Sequence, residues 1–211
     1  MLAESLERIA GEEGRLQAQI ERCISTLRAD ANQCQIRGEG RRAVELFERS
    51  YSLFLRLGDE ERATIAWIRS ADCRRILGYP EEAEKRLAAA QRTAERLDSA
   101  VLRGHVARAR SALATDSGRL EEADRLVVEA AHWHGLAGQP QQQAMCLAGL
   151  GSRYVAIGRL DEAEALLSQA RAVFEDINEL MVGRIEAILG SLSRARGEAE
   201  RARAHLEAAL R

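Results

Sequence analysis

The stretch Pro140–Asn178, PQQQAMCLAGLGSRYVAIGRLDEAEALLSQARAVFEDIN, decides the fold. Two apolar seams meet at Gly158. Leu147, Leu150, Gly151 and Tyr154 precede it, and Ala163, Leu167, Ala170 and Phe174 follow it. A spacing of three or four places each set on one helical face. The stretch therefore reads as a helical hairpin, too small to bury both seams alone.

The rest of the chain repeats it. Gly38, Gly78, Gly118, Gly158 and Gly197 are separated by 40, 40, 40 and 39 residues. Five residues after each of these pivots stands an alanine: Ala43, Ala83, Ala123, Ala163 and Ala202. Nine after it comes a larger apolar residue, namely Phe47, Leu87, Val127, Leu167 or Leu206. Twelve after it the side chain is small again, at Ser50, Ala90, Ala130, Ala170 and Ala209. Twenty after it stand Gly58, Asp98, Gly138 and Asn178, residue types that accept the left-handed backbone ending a helix.

Each column has a physical reason. Small residues let two helix axes approach, and the large residue between them fills the groove that results. Glu81-Glu82, Glu121-Glu122 and Asp161-Glu162 open second helices, where the helix dipole favours negative charge. Pro80 and Pro140, the two prolines, fall at helix starts, where the missing N–H costs nothing.

Taken together, Trp67, Leu150-Gly151, Tyr154, Gly158, Ala163, Leu167 and Ala170 resemble the signature of the tetratricopeptide repeat (TPR) family. The resemblance covers roughly residues 20–211 and is sharpest around Gly158. Other copies weaken its first-helix half, with Ala71, Ser111 and Gly190 at the small position and Arg74, Ala114 and Ser193 at the tyrosine position. The period of 40 marks a long-helix variant, similar to arrays in bacterial signalling proteins and polarity adaptors. The resemblance implies an all-α fold, a right-handed α-solenoid of about five antiparallel helical hairpins forming a TPR-like superhelix.

We expect residues 1–14 to form a short N-terminal helix or cap, with Leu2, Leu6 and Ile9 on one side and breaks at Gly11 and Gly14. Residues 15–211 then form a single array, its hairpins at about 15–57, 60–97, 100–136, 140–177 and 180–210. Short loops make neighbouring helices antiparallel. The last helix still shows Ala202, Leu206 and Ala209 up to Arg211, without a polar outer face. Either the array is part of a longer chain or that end docks on something.

Composition narrows the function classes. A net charge of −2 with a pI near 6.2 argues against a nucleic-acid partner. No run of 18 apolar residues exists to span a membrane, and the start lacks a signal-peptide pattern, so a cytoplasmic protein is expected. Arginine is abundant and Lys85 is the one lysine, a usage that fits a GC-rich bacterial genome. Cys23, Cys34, Cys73 and Cys146 show no metal-binding spacing and read as buried thiols in a reducing compartment.

Chemistry-bearing residues are few. His132 and His134 point about 200° apart on a helix and cannot grip one ion. His134 shares the column of Phe54, Ala94 and Phe174 and reads as packing, as does Trp67. No nucleophile motif or glycine-rich phosphate loop is present, so neither enzymatic activity nor a cofactor or metal is expected.

What remains is surface. In TPR arrays the first helix of each hairpin lines a groove that accepts a peptide or partner segment. By analogy the lining residues lie 13, 10, 6 and 3 positions before each pivot. That stripe contains Arg28, Asn32, Asp72, Arg75, His105, Arg108, Ser152, Arg184 and Arg194, together with Ile68, Met145, Ala148 and Ala187. Its recurring arginines suit a carboxylate, so an acidic or C-terminal-carboxylate ligand is expected in the groove. The same residues also fit a merely solvated face on an arginine-rich chain. Two alternatives accompany the interaction module. One is a regulatory or sensor array of a larger bacterial effector (protease, ATPase or transcription activator); the other is an oligomerisation scaffold using the C-terminal helix.

Overall fold

The structure is a computed structural model describing residues 2–175 and 177–210, with the backbone alone for residues 2–13, 15 and 16. Among the described residues there are ten helices and no strand. They are α1 (Leu2–Ile36), α2 (Gly40–Arg56), α3 (Glu60–Ile76), α4 (Pro80–Arg96) and α5 (Ala100–Asp116), then α6 (Leu120–Leu136), α7 (Pro140–Ala156), α8 (Leu160–Phe174), α9 (Glu179–Ala195) and α10 (Ala199–Ala209). Odd-numbered helices open hairpins and even-numbered ones close them, at the places the 40-residue period marks. No helix of the described residues is long and apolar enough to cross a membrane.

Each pivot glycine ends a helix by adopting positive φ, which no Cβ penalises. At Gly158 (φ 80°) the Gly158 N–H donates to the Val155 carbonyl and the Arg159 N–H to the Tyr154 carbonyl, at 3.2 and 2.9 Å. That pair of bonds satisfies carbonyls the helix leaves open. Asp98 does the same work at φ 47°. Asn178 does not: its φ of −156° is extended, and its side chain accepts the Met181 N–H at 3.1 Å, capping α9. The expected helix-ending residue is a helix-starting one, because asparagine suits both places.

The N-terminal expectation also changes. α1 runs unbroken through Gly11 and Gly14, so no separate cap precedes the array helix. Each glycine costs a helix only about 1 kcal/mol relative to alanine, too little to force a break. The side chains of Leu2, Leu6 and Ile9 lie outside the described part, as does Arg211. The chain divides into two compact units, residues 1–102 and 103–211. The repeat period continues through the division, which falls inside α5.

Within both units the columns become contacts. Ala43, Ala83, Ala123 and Ala163 are fully buried, and Phe47, Leu87 and Leu167 nearly so. The small residue seven before a pivot meets the carbonyl of the alanine five after it. A Cβ on Gly151 would stand 2.8 Å from Leu167 Cγ and 3.4 Å from the Ala163 oxygen. On Gly190 it would stand 3.0 Å from Leu206 Cγ and 3.4 Å from the Ala202 oxygen. At the matching place Ser111 donates its hydroxyl to the Ala123 oxygen at 2.8 Å. The repeat thus demands a residue that is absent, tiny or hydrogen-bonded there.

A second set of columns carries different chemistry in different copies. It joins the residue eleven before a pivot, the one eight after it, and the one thirteen after the preceding pivot. In unit 1 these are Trp67, Arg86 and Tyr51: the Tyr51 and Trp67 rings are 4.8 Å apart, and the Arg86 guanidinium lies 3.8 Å from the Trp67 ring centre. In unit 2 one copy is Leu147, Leu166 and Ala131, all in one apolar cluster. The next is Glu186, His205 and Arg171, with Glu186 receiving Arg171 Nε at 2.5 Å and His205 Nδ1 at 2.6 Å. One junction is built from aromatic stacking, aliphatic contact or charge.

Candidate interaction face

Unit 1 supplies α1 and α3. Arg28 and Asn32 stand one turn apart on α1, both exposed. Gln35, further along the same helix, donates to Asp72 Oδ2 on α3 at 3.3 Å. Asp72 also receives Arg75 Nε at 2.9 Å, with both side chains less than a fifth exposed. The structure therefore brings Gln35, Asp72 and Arg75 together into one link. The Asp72–Arg75 pair contributes little net charge to the face, a pairing the linear pattern left open.

Unit 2 supplies α5, α7 and α9. Ser152 is exposed on α7, and Arg184 and Arg194 are exposed on α9. Arg108 on α5 is half-buried. Arg28, Arg108, Arg184 and Arg194 make no ion pair among the described residues. Arg153 of α7 donates to Thr115 of α5 at 3.1 Å and pairs with Asp124, tying neighbouring hairpins.

The stripe is interrupted ten residues before the pivot. Ile68 is 1% exposed and Ala148 6%, so both are core positions and not lining. Ala148 packs with Ile185, Leu189 and Leu192 of α9, because that phase faces the next opening helix. Ala187 and Arg28, at the same phase, remain exposed.

His105 is half-buried on α5, and its ring meets that of His134 edge to face with centres 5.0 Å apart. His134 is completely buried. Its Nδ1 lies 2.8 Å from Gln139 Oε1, and Gly104 is the surface it rests on, since a Cβ there would come within 2.8 Å of the ring. His132 is exposed, so the two histidines diverge as the helical phase requires. Burial lowers the His134 pKa, the Gln139 hydrogen bond opposes that, and Arg108 lowers it further.

A group held neutral in the fold but protonated when unfolded stabilises the protein above its unfolded pKa and loses that contribution in acid. Stability is therefore expected to fall as the pH drops below about 6.5, the ordinary histidine value. His134→Phe, which copies Phe54 and Phe174, should flatten that part of the profile. Urea titrations at pH 7.5 and 5.5 on both proteins check it; equal slopes would exclude His134 as the source.

The cysteines divide. Cys34, Cys73 and Cys146 are buried free thiols, but Cys23, read as buried, is exposed. It sits beside buried Ile24 on α1, where one residue of phase separates core from solvent. Burial pushes the Cys73 and Cys146 thiols up to about 11, which makes them poor nucleophiles. Among the described residues no three or more His, Cys, Asp or Glu side chains are grouped to hold a metal ion.

Glu186 was not legible as a buried charge. Burial acts to raise its pKa, but hydrogen bonds from His205 and Arg171 outweigh that and hold the carboxyl below its usual range. The available signal was its column, which carries Trp67 and Leu147 in other copies.

Hairpins that repeat, end on left-handed glycines and interlock through small residues define a class of helical-repeat protein. The solved structures show the same fold. BtubC (BKLC) from P. vanneervenii matches 94% of this chain and 85% of its own at a TM-score of 0.68 and 17% identity. A kinesin-light-chain-like array of nearly identical TPR-like repeats from Podosopora anserina matches 89% of this chain and 93% of its own, at a TM-score of 0.59 and 19% identity. The chain has the TPR-like fold. No protein-family model matches it, and no curated protein does.

Proposed function

We propose that this chain is a non-enzymatic protein-interaction module that takes an acidic peptide, or a partner's C-terminal carboxylate, along the opening helices of its hairpins. TPR-like repeats generally serve as protein-interaction scaffolds, and the arginines argue for the ligand's charge. The supporting observation is that Arg28 in unit 1, and Arg108, Arg184 and Arg194 in unit 2, stand at positions of the lining stripe without an ion pair among the described residues. Guanidinium forks left open in this way match carboxylates in geometry as well as charge. Asn32 and Ser152 add uncharged groups for a peptide backbone, while Asp72 holds Arg75 and limits the acid tolerated beside it. The three buried thiols suit a reducing cytoplasm.

Each unit offers its own segment of this face, and each is tested separately. Arg28→Glu alters unit 1 and Arg108→Glu alters unit 2. A labelled poly-glutamate peptide read by fluorescence anisotropy is the probe. Each reversal is expected to weaken binding about tenfold, roughly 1.4 kcal/mol, with a steep loss in salt. Unchanged affinity in both variants would sink the acidic-ligand reading.

A further inference from the structure

We propose that the ligand of the unit 2 face carries an apolar side chain between two acids, and that this side chain seats over Gly149 on α7; the proposal rests on the acidic-ligand reading and sharpens it. Across unit 2 the opening helices lie in the order α5, α7, α9. Ala107 of α5 shares an apolar cluster with Cys146 and Leu150 of α7, and Ala148 of α7 shares another with Ile185 and Leu192 of α9. Arg153 of α7 reaches the Thr115 hydroxyl of α5 at 3.1 Å, so the surface runs on from one helix to the next.

Charge is spread unevenly over these three helices. Arg108 stands on α5, and Arg184 and Arg194 on α9, each without an ion pair among the described residues. The exposed side of α7 between them, Gln141, Met145, Gly149, Ser152 and Ala156 at spacings of three and four, carries no charge. A ligand acid laid over α7 finds no cation there and gives up water against the Met145 thioether, which is 42% exposed. An apolar side chain at the same place loses no hydration of a charge and gains the area it covers.

Gly149 provides the room. Within the helices of unit 2, Gly104, Gly135, Gly151, Gly183 and Gly190 would each set a Cβ within 3.2 Å of a neighbour, whereas a Cβ on Gly149 would meet nothing within 4 Å. A glycine inside a helix is destabilising relative to alanine, and no packing among the described residues asks for one here. It leaves a notch one turn from Met145 on the charge-free side of α7. Helix spacing then sets the ligand's register. Packed helices lie about 8–10 Å apart, and an extended peptide rises about 3.3 Å per residue. About three residues therefore carry a peptide from one opening helix to the next. An acid on Arg108, an apolar residue over Gly149 and an acid on Arg184 follow the order acid, two spacers, apolar, two spacers, acid, which reads the same in either chain direction.

Fluorescence anisotropy of three labelled peptides on the whole chain tests it. The first is Glu-Ser-Ser-Leu-Ser-Ser-Glu, the second has alanine in place of leucine, and the third, Glu-Ser-Leu-Ser-Ser-Ser-Glu, moves the leucine by one position. The first is expected to bind roughly fivefold more tightly than either of the others. Gly149→Leu fills the notch with a better helix former, so circular dichroism should show the fold retained. In that variant the fivefold preference should vanish while the affinity for the alanine peptide stays as it was. Equal or absent binding of the three peptides by the parent, or a preference that survives Gly149→Leu, would overturn the proposal. Poly-glutamate in the same titrations, with the parent and with Arg108→Glu, tells whether the acidic-ligand reading falls with it or stands alone.

Discussion

Arg171→Leu is expected to cost about 3 kcal/mol of folding stability, since it strips a buried carboxylate of its main cationic partner. Glu186 is 4% exposed and holds Arg171 at 2.5 Å and His205 at 2.6 Å. Arg171 itself is 40% exposed, so water reaches part of the gap and the lower end of the usual range applies. The triple change Arg171→Ala, Glu186→Leu, His205→Leu is expected to be at least as stable as the parent. It copies Ala131, Leu147 and Leu166, the three residues at the same columns one repeat earlier. Exchanging a buried ion cluster for packed aliphatic groups removes the desolvation cost of every charge at once. The comparison isolates charge from geometry because the backbone frame already accommodates both sets. Urea unfolding of the single and triple variants reads it, and a triple variant as weak as the single one would show that the two junctions are not interchangeable. Acid adds a second reading: Glu186 is held below the usual carboxylate range, so its contribution is present near neutrality and lost as the pH falls from that range through its lowered folded value. The triple variant should lack that loss.

What the linear pattern conveys is phase. Ala43, Ala83, Ala123 and Ala163 recur because two helices touch there, and the same contact recurs in space with each alanine fully buried. Gly158 and its counterparts are legible for a local reason, the backbone conformation that only certain residues accept. Asn178 shows where locality runs out. Asparagine favours both a left-handed helix end and an N-cap, and the choice between them was made by α8 ending at Phe174 and α9 beginning at Glu179. Glu186 shows a second boundary: a carboxylate in a packing column looks like a solvated face until Arg171 and His205 are seen converging on it from two other helices. The candidate face divides in the same way. Phase placed Arg28, Asn32, Arg184 and Arg194 outward, and they are exposed. Phase alone could not tell that Asp72 holds Arg75, or that Ile68 and Ala148 lie under neighbouring side chains, because those facts belong to contacts between repeats. Leu206 makes the limit plain. It has the same letter and column as Leu167, yet opposite burial, since burial depends on what lies across from it.

Trp67→Ala is expected to cost about 3 kcal/mol, the lower end of the range for removing a large aromatic side chain, because the ring is half-buried. Three effects converge on that ring. Its area is withdrawn from water where α2, α3 and α4 meet, and truncation leaves a void those helices can close only by shifting. The Tyr51 ring, 4.8 Å away at a tilt of 33°, loses an offset partner. Arg86 loses the surface its guanidinium covers at 3.8 Å while staying tied to Glu48 at 2.6 Å and to the Ser70 hydroxyl at 2.9 Å. Burial already lowers the Arg86 pKa, so the protein holds that charge at some cost, and the ring face is part of what offsets it. Trp67→Leu separates volume from electronics. It supplies the residue that Leu147 provides in the next unit's junction, so it should recover more than about half of the loss, leaving the cation–ring and stacking contribution as the remainder. Arg86→Met in the Trp67→Leu background should then be close to neutral, because Arg86 no longer has a ring to cover, whereas in the parent it should cost about 1–2 kcal/mol. Urea unfolding followed by far-ultraviolet circular dichroism measures all four proteins. If Arg86→Met costs the same in both backgrounds, the guanidinium is held by Glu48 and Ser70 alone, and Trp67 serves this junction by bulk.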